Sequence, residues 1–386
     1  MKVGFLLNHY DAHQVPHIVP YALELSRLYT EIEVVIITST EEQRQFVHDI
    51  ASNYHQHNCN IISLRASALV EIFDPILSQW VFAKKASILK NNSAFLSTFN
   101  ALVVPELTSL TLKKMKIFEK TKFIFTGHGA GDNPKYYPYD QRLSSFDLCL
   151  LPGRKYADIL CNLKYVKKNQ YAISGYPKFE AVKPFFNQLD FFKNKRTTVI
   201  YNPHHNANDS SWHKRGRAIL DYFYNNKKYN LIFAPHVLLF KRSFSRGARL
   251  PKKYKNQGNV LIDQGSRHSI DMTYMNAADI YLGDVSSQIY EFLMRPRPCI
   301  IFDHTKKLAQ QSDVYPHVKF GQIVNNVYDM DLSLSKSEEQ HRNYIGVQKA
   351  SFANTFEAIK NGTAGARGAE IIADFLLYEK INPKWQ

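Results

Sequence analysis

Short runs of apolar and β-branched residues recur along the chain, separated by segments long enough to form helices. Each run is apolar at consecutive positions, which is typical of strands buried on both faces of a parallel sheet. The segments between the runs carry apolar residues at helical spacing, as in Tyr21, Ala22, Leu25 and Leu28. The alternation predicts an α/β protein, with strands at Val3–Leu7, Val34–Thr38, Ile61–Leu64, Ala101–Val104, Lys122–Thr126, Leu148–Leu151, Thr198–Tyr201, Leu231–Ala234, Val260–Asp263, Asp279–Leu282 and Cys299–Phe302.

The strand–helix pattern is interrupted near residues 175–197, first by Gly175, Pro177 and Pro184 and then by the polar run 193–197. A chain of 386 residues is long enough for two domains, at about 100–200 residues per domain. We therefore expect two doubly wound domains, in which ligands bind at the carboxyl ends of the strands. The predicted bounds are 1–175 for the first domain, 176–365 for the second, and 366–386 for a C-terminal helix that packs back on the first domain.

Composition narrows the classes of protein to which the chain can belong. Hydrophobic residues make up 45% and charged residues 22%, which excludes a disordered chain because that class is poor in apolar residues. No apolar run approaches the roughly 18–20 residues that cross a bilayer, and the first residues are expected to form a strand, not a signal peptide. The four cysteines are scattered, which favours a reducing cytoplasm over a disulfide framework or a zinc site. The net charge of +15 indicates an anionic partner: nucleic acid, a phosphorylated substrate or a membrane surface.

A histidine between two glycines follows the strand predicted at Lys122–Thr126, in the order Gly127, His128, Gly129. Glycines let a ligand or another backbone segment approach closely, and histidine titrates near neutral pH. His128 is therefore a candidate general acid or base. The alternative is a glycine-rich turn with a solvent-facing histidine.

Histidines also follow two strands of the second half of the chain. Asn202 leads into His204 and His205, which are expected to point in different directions, and no further ligands at metal-binding spacing are evident. Pro235 stiffens the backbone before His236, which fixes where that ring emerges. A strand-end histidine in each half of the chain is a stronger functional signal than either histidine alone.

The strand predicted at Asp279–Leu282 leads into a loop with Asp284, Ser286 and Ser287, and then into apolar residues at helical spacing. Serines at the start of a helix serve as N-caps, which is the structural explanation of the pair. The same helix start offers free N–H groups to an anion, and serine hydroxyls add donors. With the strand at Cys299–Phe302, the segment is typical of a βαβ phosphate-binding unit, although it matches neither the P-loop nor the Gly-x-Gly-x-x-Gly motif.

Five segments of the chain resemble the CDP-glycerol glycerophosphotransferase family, which includes teichoic acid primases and polymerases and related capsule enzymes. In chain order the segments are FIFTGHGAGD, ISGYPKFEAV, VIYNPHHN, IFAPHV and AADIYLGDVSSQIYEFLMRPRPCIIF. The resemblance covers about residues 120–305. It implies a GT-B fold, in which two Rossmann-like, doubly wound domains face a central cleft.

The chain departs from the family's usual motifs in each of four segments. The departure at residues 202–206 leaves CDP-glycerol, CDP-ribitol and a nucleotide sugar open as donors. The family's Trp-His-Gly-Thr, Ala-Pro-Thr-Trp-Arg, Lys-Pro-His-Pro and Ser-Asp-Tyr-Ser-Ser segments correspond here to residues 127–130, 202–206, 234–237 and 283–287.

The resemblance implies transfer of glycerol phosphate, or a related polyol phosphate, from a CDP-activated donor to a hydroxyl of a cell-surface polysaccharide or lipid-linked acceptor, with release of CMP. It implies that residues 1–175 bind the acceptor and residues 176–365 bind the donor. It nominates His128 as general base and His236 as a donor to the phosphoryl oxygens. No metal and no cofactor are expected, because backbone dipoles and cationic groups can hold the donor. The donor-binding residues that it suggests are Gly129, Asn202, Pro235, Asp284, Ser286, Ser287 and Glu291.

Alternatives remain for two of these residues and for the function. Asp284 is expected to orient the loop or a ligand hydroxyl, because a carboxylate close to a phosphate is repelled. Glu291 is expected to reach a ribose, with a solvated glutamate on a helix face as the alternative. The alternative function is a GT-B glycosyltransferase that uses a nucleotide sugar in capsule or lipopolysaccharide synthesis.

Two basic segments are candidate surfaces for an anionic membrane or a polyanionic acceptor. Lys241–Lys255 carries seven positive residues and no acid, and Phe73–Lys90 has the pattern of an interfacial helix. The alternatives are a solvated loop and a helix that faces the core. Phe244 and Tyr254 would suit stacking on bases, but no nucleic-acid-binding motif is found, and no nucleic-acid partner is expected. We expect a cytoplasmic enzyme, peripheral on the inner face of the plasma membrane.

Overall fold

The computed structural model describes residues 1–54, 56–68, 70, 83–130, 139–186, 190–240, 250–255, 257–284, 286–306, 308–311 and 315–386. Within these ranges the chain divides into two compact units. Unit 1 contains the described residues of Met1–Gly129, Tyr136–Pro184 and Ala353–Gln386, and unit 2 contains Ala130 and the described residues of Phe185–Phe352. Among the described residues the crossings between units thus fall at 129/130, 184/185 and 352/353, whereas the sequence predicted 175/176 and 365/366.

Unit 1 is built on a parallel sheet of seven strands in the order β3-β2-β1-β4-β5-β6-β7. The order reverses between β1 and β4, which makes their carboxyl ends a topological switch point, the place where open α/β sheets bind ligands. The strands are β1 Lys2–Leu6, β2 Glu33–Thr38, β3 Asn60–Ser63, β4 Ala101–Val104, β5 Lys122–Phe125, β6 Leu148–Leu151 and β7 Tyr171–Ile173.

Unit 2 repeats this plan with a parallel sheet of six strands in the order β10-β9-β8-β11-β12-β13. Its switch point lies between β8 and β11. The strands are β8 Thr198–Asn202, β9 Asn230–Phe233, β10 Val260–Ile262, β11 Ile280–Gly283, β12 Cys299–Phe302 and β13 Gln322–Val324.

Ten of the described α-helices lie between successive strands and four follow the last strand, and short 3-10 turns such as Ala12–His17 and Arg267–Ser269 occur among them. The helices are α1 Val19–Leu28, α2 Glu41–Ala51, α3 Ala83–Asn91, α4 Ser93–Leu96, α5 Leu110–Lys113, α6 Arg154–Asn162, α7 Lys178–Val182, α8 Arg217–Asn225, α9 Thr273–Ala277, α10 Gln288–Phe292, α11 Val327–Ser335, α12 Ser337–His341, α13 Ile345–Thr355 and α14 Ala364–Tyr378.

The predicted α/β class with two doubly wound parallel sheets is confirmed. The central strands are fully buried, as the continuous apolar runs indicated. The sequence missed β7 and β13, whose segments Tyr-Ala-Ile and Gln-Ile-Val have a weaker apolar pattern than the Val-Leu-Ile of β10, an edge strand of the same length that was predicted. In α1, Tyr21, Ala22 and Leu25 are buried as their spacing predicted, whereas Leu28 at the helix end is 42% exposed.

The C-terminal helix α14 packs against α1 within unit 1. Its first N–H groups, those of Ala364 and Gly365, donate to the carboxylate of Glu180 at 2.9 and 2.7 Å. Glu180 lies in α7, so this contact ties residues beyond the predicted 175/176 boundary to unit 1. A carboxylate at a helix N-terminus satisfies donors that have no partner within the helix.

Within the described part of the chain, no helix combines the length and the apolar content that crossing a membrane requires. The four cysteines, Cys59, Cys149, Cys161 and Cys299, are all free thiols.

Candidate active site

In unit 1, polar side chains gather where the strands at the switch point end. His9, Asp11 and His13 follow β1, Glu106 follows β4, and His128 follows β5. These strands are neighbours in the sheet, so their carboxyl ends meet at one edge. The rings come close together: the centroids of His9 and His13 are 4.5 Å apart, and those of His13 and His128 are 5.3 Å apart.

The backbone around His128 fixes which of its nitrogens carries a hydrogen. Gly127 has a φ of 71°, in the left-handed region that favours glycine, and turns the chain just before the histidine. His128 Nδ1 then lies 2.6 Å from the carbonyl oxygen of Pro105, a much closer contact than its 3.4 Å to the side-chain amide nitrogen of Gln14. A carbonyl oxygen only accepts, so Nδ1 is the donor and the neutral ring carries its lone pair on Nε2. Nε2 is therefore the nitrogen that can take up a proton.

The surroundings of His128 keep its ring neutral. Burial lowers the pKa of His128 below its usual value, the hydrogen bond to Pro105 opposes this, and the charge of Lys85 lowers the pKa further. A ring whose pKa lies below 6.5 is unprotonated at pH 7, the form that a general base needs. His128 thus has both the tautomer and the protonation state of a base.

Opposite charges lie beside this histidine. Glu106 is 6% exposed and accepts hydrogen bonds from the N–H groups of Thr108 and Ser109 at 2.5 and 3.1 Å. Burial raises the pKa of Glu106, while the Ser109 hydroxyl and the charge of Lys85 oppose that shift. Burial lowers the pKa of Lys85, and the charges of Glu106 and Asp11 oppose it. The site therefore combines a cation and carboxyl groups, although the chain as a whole is strongly basic.

Sequence reasoning did not single out the polar residues that surround His128. For three of them a signal was present, because the run NHYDAHQ follows directly on the first strand, at the end where ligands were expected. Glu106 gave a weaker signal, two residues after the end of β4. Lys85 gave none, because it comes from α3 and only the fold brings it to this edge of the sheet.

In unit 2, three imidazoles gather at the carboxyl ends of β8 and β9. The ring centroids are 4.4 Å apart for His204 and His205, 4.3 Å for His205 and His236, and 5.7 Å for His204 and His236. We expected His204 and His205 to point in different directions on a regular element. They lie instead in a loop after β8, where both rings approach the ring of His236.

The backbone around His236 fixes the tautomer opposite to that of His128. His236 Nδ1 accepts a hydrogen bond from the N–H of Leu238 at 3.2 Å, so the hydrogen of the neutral ring lies on Nε2. Burial lowers the pKa of His236 well below its usual value, and the neighbouring His205 and His204 lower it further. His236 is therefore a neutral hydrogen-bond donor at pH 7.

Asn202 and Pro235 position this histidine. Asn202 is 2% exposed, and its side-chain amide donates to the carbonyl oxygen of Ala234 at 2.6 Å. Ala234 precedes Pro235, which itself precedes His236. The bond thus joins the end of β8 to the end of β9 at the point where the histidine leaves the sheet.

Asp284 holds the same loop from the other side of the switch point. It is fully buried, and its Oδ2 accepts from the N–H groups of His204 at 2.8 Å and Ser211 at 2.9 Å. Burial raises the pKa of Asp284 to about 7, against the effect of these hydrogen bonds. Its neighbour Gly283 has no room for a side chain, because a Cβ there would lie 2.7 Å from the carbonyl oxygen of Asn202. The carboxyl group therefore orients the loop that carries His204.

The two serines after β11 differ in their surroundings. Ser286 is 7% exposed, and its hydroxyl accepts from the N–H of Gln288 at 3.3 Å. Ser287 is exposed and stands at the N-cap of α10, where it makes no capping hydrogen bond. Helix α10 is only five residues long, so few peptide dipoles are aligned, and the donors at this site are individual N–H and hydroxyl groups. Glu291 is 6% exposed, which excludes the solvated helix face.

The remaining candidates lie beside these residues or outside the described ranges. Gly129 is half-buried next to His128. Tyr254 is 1% exposed and belongs to the core of unit 2, so it is not available to stack on bases. Ile88 and Leu89 are 1% and 3% exposed, so this part of the predicted interfacial helix faces the core. Residues 71–82 and 241–249, which make up the rest of the two basic segments, lie outside the described residues.

Comparison with known proteins gives a family and several structures of the same fold. The wall teichoic acid polymerase TagF is 13% identical over 98% of this chain and 90% of its own, with a TM-score of 0.61. A putative UDP-N-acetylglucosamine 2-epimerase from Listeria monocytogenes is 12% identical over 99% of this chain and 98% of its own, with a TM-score of 0.65. The UDP-GlcNAc 2-epimerase from Neisseria meningitidis bound to UDP-GlcNAc is 14% identical over 98% and 100%, with a TM-score of 0.54. A search of curated proteins found no match.

At these identities the structural likenesses bear on the fold alone, and they confirm the predicted two-domain GT-B fold. The family rests on a separate finding, because the model of a transferase family matches residues 18–374 and so covers nearly the whole chain. The match extends well beyond the segments that carried the resemblance in the sequence. The chain belongs to the CDP-glycerol:poly(glycerophosphate) glycerophosphotransferase family and is a glycerophosphotransferase-like enzyme.

Proposed function

We propose that this chain transfers glycerol phosphate, or a related polyol phosphate, from a CDP-activated donor to a hydroxyl group of a cell-surface polysaccharide or lipid-linked acceptor. CMP is the leaving group. The family supports this class of reaction. CDP-glycerol is the first donor to consider, since a structure of TagF, 14% identical to this chain, was obtained with CDPG.

The observation that carries the proposal is the opposite placement of hydrogen on two neutral histidines. His128 donates from Nδ1 to Pro105 and keeps a lone pair on Nε2, as a base requires. His236 accepts on Nδ1 from Leu238 and keeps a hydrogen on Nε2, as a donor to an oxyanion requires. A base for the acceptor hydroxyl and a donor for the developing oxyanion each accelerate phosphoryl transfer.

The step balances with these two groups. The acceptor oxygen forms a new bond to the distal phosphorus of the donor, and the bond between that phosphorus and the bridging oxygen breaks, so that CMP leaves with the electron pair. The proton of the acceptor hydroxyl goes to Nε2 of His128. His236 Nε2–H donates to the phosphoryl oxygens or to the leaving phosphate, on which negative charge develops.

The loop after β11 supplies further donors in this proposal. Ser287 is exposed and makes no capping bond, so its hydroxyl is free to turn to a phosphate oxygen. Ser286 and the N–H groups at the start of α10 lie beside it. Asp284 serves as a positioning residue, because its carboxyl group is engaged by two backbone N–H groups of the histidine loop.

The acceptor and the location follow from charge and family. A net charge of +15 favours a polyanionic acceptor or an anionic membrane surface. We therefore place the enzyme at the inner face of the plasma membrane, in the synthesis of teichoic acid or a capsule polymer.

The test is a titration and a turnover assay with the purified protein. Binding of CDP-glycerol, CDP-ribitol and UDP-sugars is measured by calorimetry, with CMP as the control ligand, and CMP release is then followed with a glycerol-phosphate-primed acceptor. We expect a CDP-polyol to bind and CMP to be released only when the acceptor is present. Binding confined to UDP-sugars would contradict the proposal and indicate the glycosyltransferase alternative.

A further inference from the structure

The loop after β1 brings together three side chains of the kinds that ligate metals. They are the imidazoles of His9 and His13 and the carboxylate of Asp11, and one ligand atom from each lies within 4.8 Å of the other two. His9 Nδ1 is 3.9 Å from Asp11 Oδ2. Among the residues that the structure describes, no second group of histidine, cysteine and acidic side chains is as close, and the histidine cluster of unit 2 does not meet the same distance.

The backbone that carries these groups is held in place from a neighbouring helix. Gln43 of α2 is fully buried, and its amide donates to the carbonyl oxygens of His9 at 2.7 Å and Asp11 at 3.2 Å. The other end of the same amide accepts from the N–H of Ser39 at 2.8 Å. These bonds hold the backbone from which the three side chains project, although they do not contact the ligand atoms themselves. The loop is therefore built for a defined geometry at its end.

The charges of the cluster suit a cation. Asp11 is 3% exposed, and its carboxylate stabilises the charged form of Lys85. His9 Nδ1 accepts a hydrogen bond from the N–H of Asp11 at 3.0 Å, so this nitrogen is unprotonated and exchanges that hydrogen bond for the ion on binding. Metal ions require a deprotonated ligand atom of this type.

We infer that His9, Asp11 and His13 form a binding site for one divalent first-row transition metal ion of the Zn²⁺ type. Two imidazoles and one carboxylate are the ligands of such ions, whereas Mg²⁺ and Ca²⁺ prefer oxygen ligands alone. Ligands at about 2.0–2.1 Å from a tetrahedral zinc ion lie about 3.4 Å apart. Binding of the ion therefore requires the three ligand atoms to move closer together than they are in this structure. Three protein ligands leave a coordination position open to water or to a substrate oxygen.

The site lies at the same edge of the sheet as His128, since the ring of His13 is 5.3 Å from the ring of His128. An ion there attracts hydroxyl or phosphate oxygens towards the base. The inference stands apart from the proposed reaction, because it concerns binding of the metal alone and its test needs no turnover.

The test is a titration of the full chain with Zn²⁺ by calorimetry and with Co²⁺ by visible absorption. The wild-type protein is expected to bind one ion, with absorption bands typical of four-coordinate Co²⁺. The double variant His9→Ala/His13→Ala is expected to bind more than about 100-fold more weakly, because loss of outer contacts alone costs about 10–100-fold. The matched control is His205→Ala, which removes an imidazole from the cluster in unit 2 and is expected to leave the affinity unchanged.

Two further variants keep the result open to contradiction if the double variant does not fold. Asp11→Asn should weaken Zn²⁺ binding, while Lys85→Met should strengthen it severalfold, because it removes a cation that competes for Asp11. If the negative charge of Asp11 attracts the ion, the affinity for Zn²⁺ must fall in the Asp11 variant and rise in the Lys85 variant. The inference is overturned if the wild type binds no ion, if the double variant binds as tightly as the wild type, or if Lys85→Met weakens binding.

Discussion

The switch points of the two units are alike in plan and opposite in chemistry. In unit 1 His128 follows β5, next to the switch point between β1 and β4, and in unit 2 His236 follows β9, next to the switch point between β8 and β11. Both rings are desolvated, and both have a pKa lowered below the ordinary value. They differ in the hydrogen bond at Nδ1, which His128 donates to a carbonyl group and His236 accepts from an N–H group.

This difference shows that the sheet determines the position of each histidine, whereas the loop determines its chemical role. The doubly wound sheet decides where a polar side chain meets a ligand. The backbone group beside each ring decides whether Nε2 is a base or a donor. A strand-end histidine in the sequence therefore identifies a site without identifying a role.

The largest expected effect is that of removing the base. His128→Ala should lower turnover by about 10²- to 10⁴-fold, the usual contribution of a positioned general base. Its melting temperature should remain close to that of the wild type, because the half-buried ring contributes little to the core. Steady-state CMP release with thermal denaturation checks this, and the exposed His48→Ala serves as the control. Near-normal turnover in the His128 variant would show that the base is another group.

The next largest effect distinguishes the roles of the two histidines, because a glutamine can replace a hydrogen-bond donor but not a base. His236→Ala should lower turnover by about 10²- to 10³-fold, as removal of one oxyanion donor does. His236→Gln should recover part of this loss, because a glutamine amide still donates an N–H. His128→Gln should recover none, because an amide is no base at neutral pH. Equal rescue at both positions would break the distinction between the two sites.

A smaller effect is expected from the serine pair of unit 2. Ser287→Ala should raise the Michaelis constant for the donor by about 3- to 10-fold, equivalent to loss of one hydrogen bond, without a change in melting temperature. Ser286→Ala should instead lower the melting temperature, because its hydroxyl accepts from the N–H of Gln288. If Ser287→Ala lowered only stability, the serine would be a helix cap and not a ligand to the donor.

The smallest expected effect is the fall of kcat/KM on the acid side of its pH profile. A base must be neutral, and burial holds the pKa of His128 below 6.5, so kcat/KM should fall by less than about twofold between pH 8 and pH 6.5. Below the pKa it should fall about tenfold per pH unit. The same lowered pKa means that the unfolded chain takes up this proton first as pH falls, which favours unfolding at acid pH. Activity is therefore compared only where unfolding curves show a folded enzyme. If kcat/KM fell to half of its maximum at a pH above 6.5, the assignment of His128 as the base would be contradicted.

Most of the fold was predictable from the sequence, because buried parallel strands have continuous apolar runs that need no partner to be recognised. The strands β7 and β13 were missed because Tyr-Ala-Ile and Gln-Ile-Val are weaker apolar runs than the Val-Leu-Ile of β10, an edge strand of the same length that was predicted. The crossing after α7 was missed because the bond from Glu180 to the N-terminus of α14 joins residues far apart in the chain.

The candidate site was predictable in part. His128, His236 and the serine pair stand out because each follows a buried strand. The direction of the His204 and His205 rings was not predictable, because it depends on Asp284. The carboxylate of Asp284, after β11, accepts a hydrogen bond from the N–H of His204, after β8. Lys85 was not predictable either, because only the fold brings α3 to the loop after β4 that carries Glu106.

The sequence by itself determined the α/β class, the two sheets and the strand ends where polar residues collect, since these depend on local hydrophobic patterns and on short motifs. Only the tertiary structure decided which nitrogen of each histidine carries a hydrogen, because Pro105 and Leu238 are set against the rings by the folded loops. It alone also brought His9, Asp11 and His13 within reach of one ion. Tautomer and ligand geometry depend on distances of a few ångströms, and such distances exist only once the chain has folded.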